Sequence, residues 1–241
     1  MEINYMMLDI LILIFPLLFS YKWVFPYYKK FKPLFISIFI VGGIFILWDI
    51  LVTFRGDWAF NEAYLIGLKI AGLPIEEILF FIVVPYSCIF IYENLQYFFN
   101  DKHIYFNKKL YYIISIVFFI IGSIFYYQEY TILAMFSVGA FFFIAATWFS
   151  DILKSRNFWF YIIISFVAFI IFNYILTSIP IVTYNPEAIF GGTVDQIWYG
   201  RFITIPIEDF FYNFSMLSFY LMIYTYFNKK LKLNKKAYRN Q

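Results

Sequence analysis

Runs of about 20 apolar residues recur along the whole chain, separated by short polar connections, and a run of that length is what an α-helix needs to cross a bilayer. The pattern predicts seven spans, near Tyr5 to Trp23, Pro33 to Phe54, Ile75 to Phe98, Lys109 to Tyr127, Thr131 to Phe149, Phe158 to Ser178 and Ile205 to Phe227. Inside lipid a segment must satisfy its own backbone hydrogen bonds, so each span is expected to be helical. The predicted fold is an all-α, polytopic membrane protein.

Composition supports this. Of 241 residues, 63% are apolar and 14% charged, against roughly half and a quarter in a globular domain; the excess must face lipid, and no room is left for a large soluble domain. With seven spans the connections alternate between two faces. One face collects Lys22, Lys29, Lys30, Lys32, Lys102, Lys108, Lys109, Lys154, Arg156 and the tail from Lys229 to Arg239; the other holds only Arg55, Lys69 and Arg201. Cationic loops stay on the cytoplasmic side, so the expectation is a multi-pass protein of the cell membrane with its N-terminus outside and its C-terminus in the cytoplasm. Directly after a span, the basic tail reads as an orientation signal near anionic lipid, and no nucleic-acid partner is expected. The first apolar run lacks a small-residue cleavage pattern and is followed by lysines, so it reads as a span rather than a signal peptide. A single cysteine, Cys88, rules out a disulfide framework within the chain. A single histidine, His103, set among lysines, argues against a metal centre of imidazole or thiolate ligands.

Two stretches of the chain resemble each other. Trp48 to Thr53 aligns with Phe172 to Thr177, the same register places Phe60 and Asn61 on Tyr184 and Asn185, and after an insertion Pro74-Ile75-Glu76-Glu77 matches Pro206-Ile207-Glu208-Asp209. Four spans separate the copies, which gives both the same orientation, the parallel kind of repeat. The expected organisation is a first three-helix repeat over 1–100, a linking helix over 101–128, and a second three-helix repeat with the basic tail over 129–241.

The acidic pairs Glu76, Glu77 and Glu208, Asp209 each follow a proline at the start of a span. Proline suits the first helical turn and a carboxylate there meets the positive end of the helix dipole, which alone explains one acid per helix. The doubling asks for more: neighbours on a helix point about 100° apart, so one member of each pair can face the bundle interior. Intramembrane acids are costly and by default mark function, and a carboxyl kept neutral by burial can act as an acid toward an apolar substrate. Asp49 lies about two turns before the end of its span, and Asn213 shares a helix face with Asp209. Arg55, Asp57, Trp58 and Asn61 follow in the first unit, with Asn173, Asp195, Trp198 and Arg201 in the second; the two arginines are either ion-pair partners or headgroup anchors.

The run through Trp48 and Asp49, Gly56 to Asn61, Gly67 and Pro74 to Phe81, ending at Val84 and Pro85, resembles the lycopene cyclase family of small membrane proteins, here in the form of two fused repeats. The resemblance is strong over Leu47 to Gln96 and weaker over Ile170 to Tyr220, where Asn173 stands at the position of Asp49 and Trp58 has no counterpart. It implies protonation of a terminal double bond of lycopene, ring closure and loss of a proton to give a β-ionone end. Glu76 or Glu77 would be the donor, Glu208 or Asp209 would stabilise the cation or remove the proton, and Asp49 would be a supporting acid. Trp48, Trp58, Asn61, Asn173 and Asn213 are the candidate substrate-binding residues, with aromatic faces available to a cation. The implied partner is lycopene or a similar acyclic carotenoid in the bilayer. No Gly-rich dinucleotide fingerprint is present and no cofactor is expected; a homo-oligomer is left open. The rivals are an enzyme that hydrates a carotenoid end or cyclises an elongated one, and a non-catalytic transporter or scaffold. A retinal protein would need a lysine in the last span, and Ile205 to Phe227 has none.

Overall fold

A computed structural model describes residues 4–22, 25–191 and 200–239. Among them a helix occupies each of the seven predicted blocks: α1 Tyr5–Lys22, α2 Tyr27–Arg55, α3 Ile75–Phe98, α4 Lys108–Ile124, α5 Glu129–Trp148, α6 Arg156–Ser178 and α7 Ile207–Arg239. The chain is all-α apart from short two-stranded ribbons. Four helices, α2, α3, α5 and α6, are long and apolar enough to cross a membrane, and α1 is a shorter apolar helix. Large side chains such as Phe39, Leu51 and Phe54 stand exposed on them, as lipid-facing residues do. This is a membrane protein.

Helix α7 differs in kind. Its Asn213, Ser215, Ser218, Tyr220 and Tyr224 are all buried, and it packs against α2, α3, α5 and α6. It is less apolar than the rest because its polar groups are hidden inside the bundle, away from lipid. Near its middle, α2 widens into a π turn over Ile38–Gly42. A Cβ on Gly42 would lie 2.9 Å from the Tyr220 hydroxyl, which donates to the Phe81 carbonyl of α3 at 2.8 Å. Only glycine lets the three helices meet at that distance.

The two ends of the bundle are built differently. At the basic end, Asp101 accepts from the Ser155 hydroxyl at 2.6 Å and the Asn157 N–H at 3.1 Å, fixing the start of α6. There too Glu93 is held by Lys30 at 3.0 Å and by the Tyr224 hydroxyl at 2.6 Å. At the other end, β1 (Trp58–Phe60), which follows α2, pairs antiparallel with β4 (Val182–Tyr184), which follows α6, with Trp58 opposite Tyr184 and Phe60 opposite Val182. The remaining strands form two tight hairpins, β2 (Lys69–Ile70) with β3 (Leu73–Pro74) and β5 (Arg201–Phe202) with β6 (Ile205–Pro206).

These hairpins change two boundaries expected from the sequence. Pro74 is the last residue of a strand, paired with Lys69 and capping α3 at φ −57° and ψ 144°, rather than a residue of the first helical turn; Pro206 is paired with Arg201 in the same way, and α7 begins at Ile207, not Ile205. Proline fits because its fixed φ suits extended backbone at a strand terminus as well as a helix start. The fourth block ends at Ile124, short of Tyr127.

Candidate functional site

Both acidic pairs reach the bundle by the same local device, a hairpin with a two-residue turn that ends in proline and runs straight into a helix. In the first, Ala71 and Gly72 carry φ of 51° and 84°, both left-handed as a tight hairpin turn requires. In the second, Ile203 carries φ 57°. Glu76 and Glu77 then fall in the first turn of α3, and Glu208 and Asp209 in the first turn of α7. All four are buried, none more than 9% exposed.

Within each pair the two acids part company, as the 100° between neighbours requires. Glu76 Oε1 accepts from the Ile66 N–H at 2.7 Å. Glu208 Oε1 accepts from the Phe190 N–H at 2.6 Å and the Thr131 hydroxyl at 2.5 Å. These two carboxyls tie loops to helix starts. The second members face inward and share one cavity of about 330 Å³, which Glu77 and Asp209 line while Glu76, Glu208 and Asp49 do not. Each accepts a hydrogen bond from a tyrosine near the start of a helix: Tyr5 of α1 to Glu77 at 2.6 Å, and Tyr130 of α5 to Asp209 at 2.7 Å.

The partners behind them differ by one atom. Asn173 donates from Nδ2 to Asp209 at 2.7 Å, and the Tyr184 hydroxyl donates to the same oxygen at 2.7 Å. Asp209 therefore accepts from three donors, which fill most of the acceptor sites of a carboxylate. At the position corresponding to Asn173, a second carboxyl, Asp49, stands within electrostatic reach of Glu77. Its Oδ1 accepts from Trp58 Nε1 at 2.9 Å and from Thr53 at 3.2 Å, and its Oδ2 has no donor from any neighbouring amide or hydroxyl. Two neighbouring carboxyls in a buried site do not both ionise.

Aromatic rings join the two acids. Trp58 meets Tyr130 edge-on at 4.8 Å, Tyr130 stacks with Tyr184 at 6.0 Å, and Tyr212 lies against Trp58 at 6.4 Å and Tyr130 at 6.2 Å. Tyr184 thus does for Asp209 what Trp58 does for Asp49, a counterpart that linear alignment does not show because strand pairing, not register, sets the two opposite each other. Arg201 is buried, bonds the Thr204 carbonyl at 2.7 Å and lies over the Tyr184 ring at 5.8 Å; Arg55 pairs with Asp57.

Of the expected binding residues, Trp58, Asn173 and Asn213 line the cavity, and the buried Asn213 Nδ2 has no hydrogen-bond partner. Trp48 does not line it: its ring stacks on Phe45 at 5.5 Å and supports Tyr212 from behind. Asn61 does not either, since its Oδ1 accepts from the Ala63 N–H and caps a short turn. Asp195 and Trp198 lie outside the described residues. Sequence reading missed Tyr5, Tyr130, Tyr184 and Asp9. Asp9, on α1 one turn after Tyr5, is 2% exposed, with both oxygens unpartnered and within electrostatic reach of Glu76. It was findable as an acid inside an apolar run; the tyrosines, three among 23, were not. Among the described residues no group of three or more His, Cys, Asp or Glu side chains is placed to hold a metal ion.

The sequence profile of a family described as "Lycopene cyclase" matches residues 3–95 and 127–227, most of the chain. The chain belongs to the lycopene cyclase family. No curated protein and no solved structure matches it. In this lycopene cyclase family member each matched region contains one acidic pair, its hairpin and its tyrosine, and the unmatched stretch between them carries α4. Membership sets the general activity as carotenoid cyclisation, with a carotenoid substrate met in a lipid environment.

Proposed function

We propose that this protein closes the acyclic ends of lycopene to β-ionone rings by proton transfer, with Glu77 as donor and Asp209 as the opposing carboxylate. The observation that carries the reading is the difference between the two otherwise matching acid sites that line one cavity: Glu77 is backed by a second carboxyl, Asp49, and Asp209 by an amide, Asn173. The first pair holds one proton between two acids, because like charges in a buried site do not both ionise. The second keeps its charge through three donated hydrogen bonds.

The chemistry follows from that asymmetry. Glu77 protonates the terminal double bond and leaves a tertiary cation; the neighbouring double bond attacks it and closes the six-membered ring; a proton then leaves the ring carbon next to the new cation. Bonds and charges balance without an oxidant or reductant, so the net change is an isomerisation. Asp209 stabilises the cation and receives the departing proton, and the faces of Trp58, Tyr130, Tyr184 and Tyr212 add cation–π stabilisation. Glu76 and Glu208 position the loops, and Asp9 extends the acidic network behind Glu76.

The proposed setting is seven spans in the cell membrane, with two three-helix units over 1–100 and 129–241 joined by the helix in 101–128, the N-terminus outside and the basic face in the cytoplasm. The matching hairpins and the β1–β4 pairing support the two-unit reading. In a lycopene-accumulating host, Glu77→Gln and Asp49→Asn are each expected to lower ring formation at least about 100-fold, as loss of a general acid does, with membrane insertion unchanged. Cyclic product at wild-type levels from Glu77→Gln would sink the assignment.

A further inference from the structure

The cavity at the acids does not stop where the chemistry ends. Its walls descend along α3 as far as Ile91, and a second cavity of about 280 Å³ takes over there, sharing Phe15, Phe90 and Ile91 with the first and continuing to Asn94 and Phe98. From Glu77 to Phe98 the helix rises about 32 Å at 1.5 Å per residue. The wall residues Leu11 and Phe15 of α1 are both 58% exposed and Ile164 of α6 is 41% exposed, so the side of the groove reaches the lipid-facing surface. Polar groups crowd one end, and the rest is mostly apolar.

Resting on the cyclase reading above, we propose that this groove binds the unreacted length of the carotenoid, which enters sideways from the lipid with its far end against Asn94, Phe98 and Ile164. The length is what commits the groove to that occupant: an extended carotenoid is a rod comparable to the hydrocarbon core of a bilayer, about 30 Å, and only a molecule of that reach can touch both Glu77 and Phe98. A lipid acyl chain reaches about half as far from either headgroup layer and has no end group for the acids. One polyene end faces the acids at a time, so a second ring requires release and re-entry the other way round.

The test uses the full-length protein in liposomes with two substrates of identical acyclic end, the full-length carotenoid and a truncated one that ends before the level of Phe15. Ile164→Trp should narrow the far segment and lower conversion of the full-length substrate about tenfold, the scale of an overpacked site, while the truncated substrate is converted at the wild-type rate. Ile163→Trp, one residue away and 61% exposed, should change neither. Adding Phe98→Ala to Ile164→Trp should restore the long substrate. Equal rates on both substrates, a parallel fall on both, or no rescue would overturn the groove. A wild-type protein that converts neither would remove the cyclase reading itself, and this proposal with it.

Discussion

An aspartate and an asparagine differ by one hydrogen-bonding atom, and in the proposed mechanism that atom, at Asp49 and Asn173, decides which acid holds a proton. The same logic gives a graded expectation for the donors. Removing one hydroxyl from a buried, charged acceptor costs about 1–3 kcal/mol, so Tyr184→Phe should weaken the hold on the Asp209 charge and slow ring formation about 5–150-fold. The loss should fall on the maximal rate more than on the apparent affinity for carotenoid; an effect on affinity alone would make Tyr184 a packing residue. Residue-scale reading of the sequence singled out all four paired acids, Asp49, Asn173 and Asn213 as candidates, because polar groups stand out in apolar runs. It could not separate Glu77 from Glu76, since helix phase is defined only once the neighbours are in place. It also placed Trp48 and Asn61 in the site, although one is a support for Tyr212 and the other a turn cap.

At the scale of the element, helices were legible and their joints were not. Seven apolar runs gave seven helices because span length and backbone satisfaction leave few alternatives. The hairpins that aim the acids are only a few residues long, and nothing in their composition distinguishes them from loop. Two of their features carry expectations for stability, measured by thermal unfolding in detergent. Ile203 is a β-branched residue at φ 57°, where a side chain costs roughly 1–2 kcal/mol and glycine gives back about 0.5–1 in entropy. Ile203→Gly should therefore stabilise by a few tenths to about 1 kcal/mol; a lower melting temperature would show that burial of its side chain outweighs the strain. Gly42→Ala should push on Tyr220, whose hydroxyl is fixed on Phe81, and destabilise by about 1–3 kcal/mol. A neutral result there would mean that the π turn of α2 can relax.

For the molecule as a whole, topology can be read with one reporter at each end. The native Cys88 is buried, so background labelling by a membrane-impermeant thiol reagent is expected to be low. Lys102→Cys should react only in inverted vesicles and Glu62→Cys only in intact cells; labelling of both from the same side would refute the proposed orientation. The division into acid-bearing and basic ends was visible in the charge distribution, but the joining of the halves through β1 and β4 was not, because no local pattern announces a pairing across more than a hundred residues. The amide at Asn173 has a last consequence for how such a chain can be rebuilt. On the proposed chemistry, a protein made of two copies of the first unit would carry two loaded acids and no counter-ion, and one made of two copies of the second would carry two anions and nothing to give. Under the proposed mechanism the halves are complementary rather than redundant, and neither can be dispensed with.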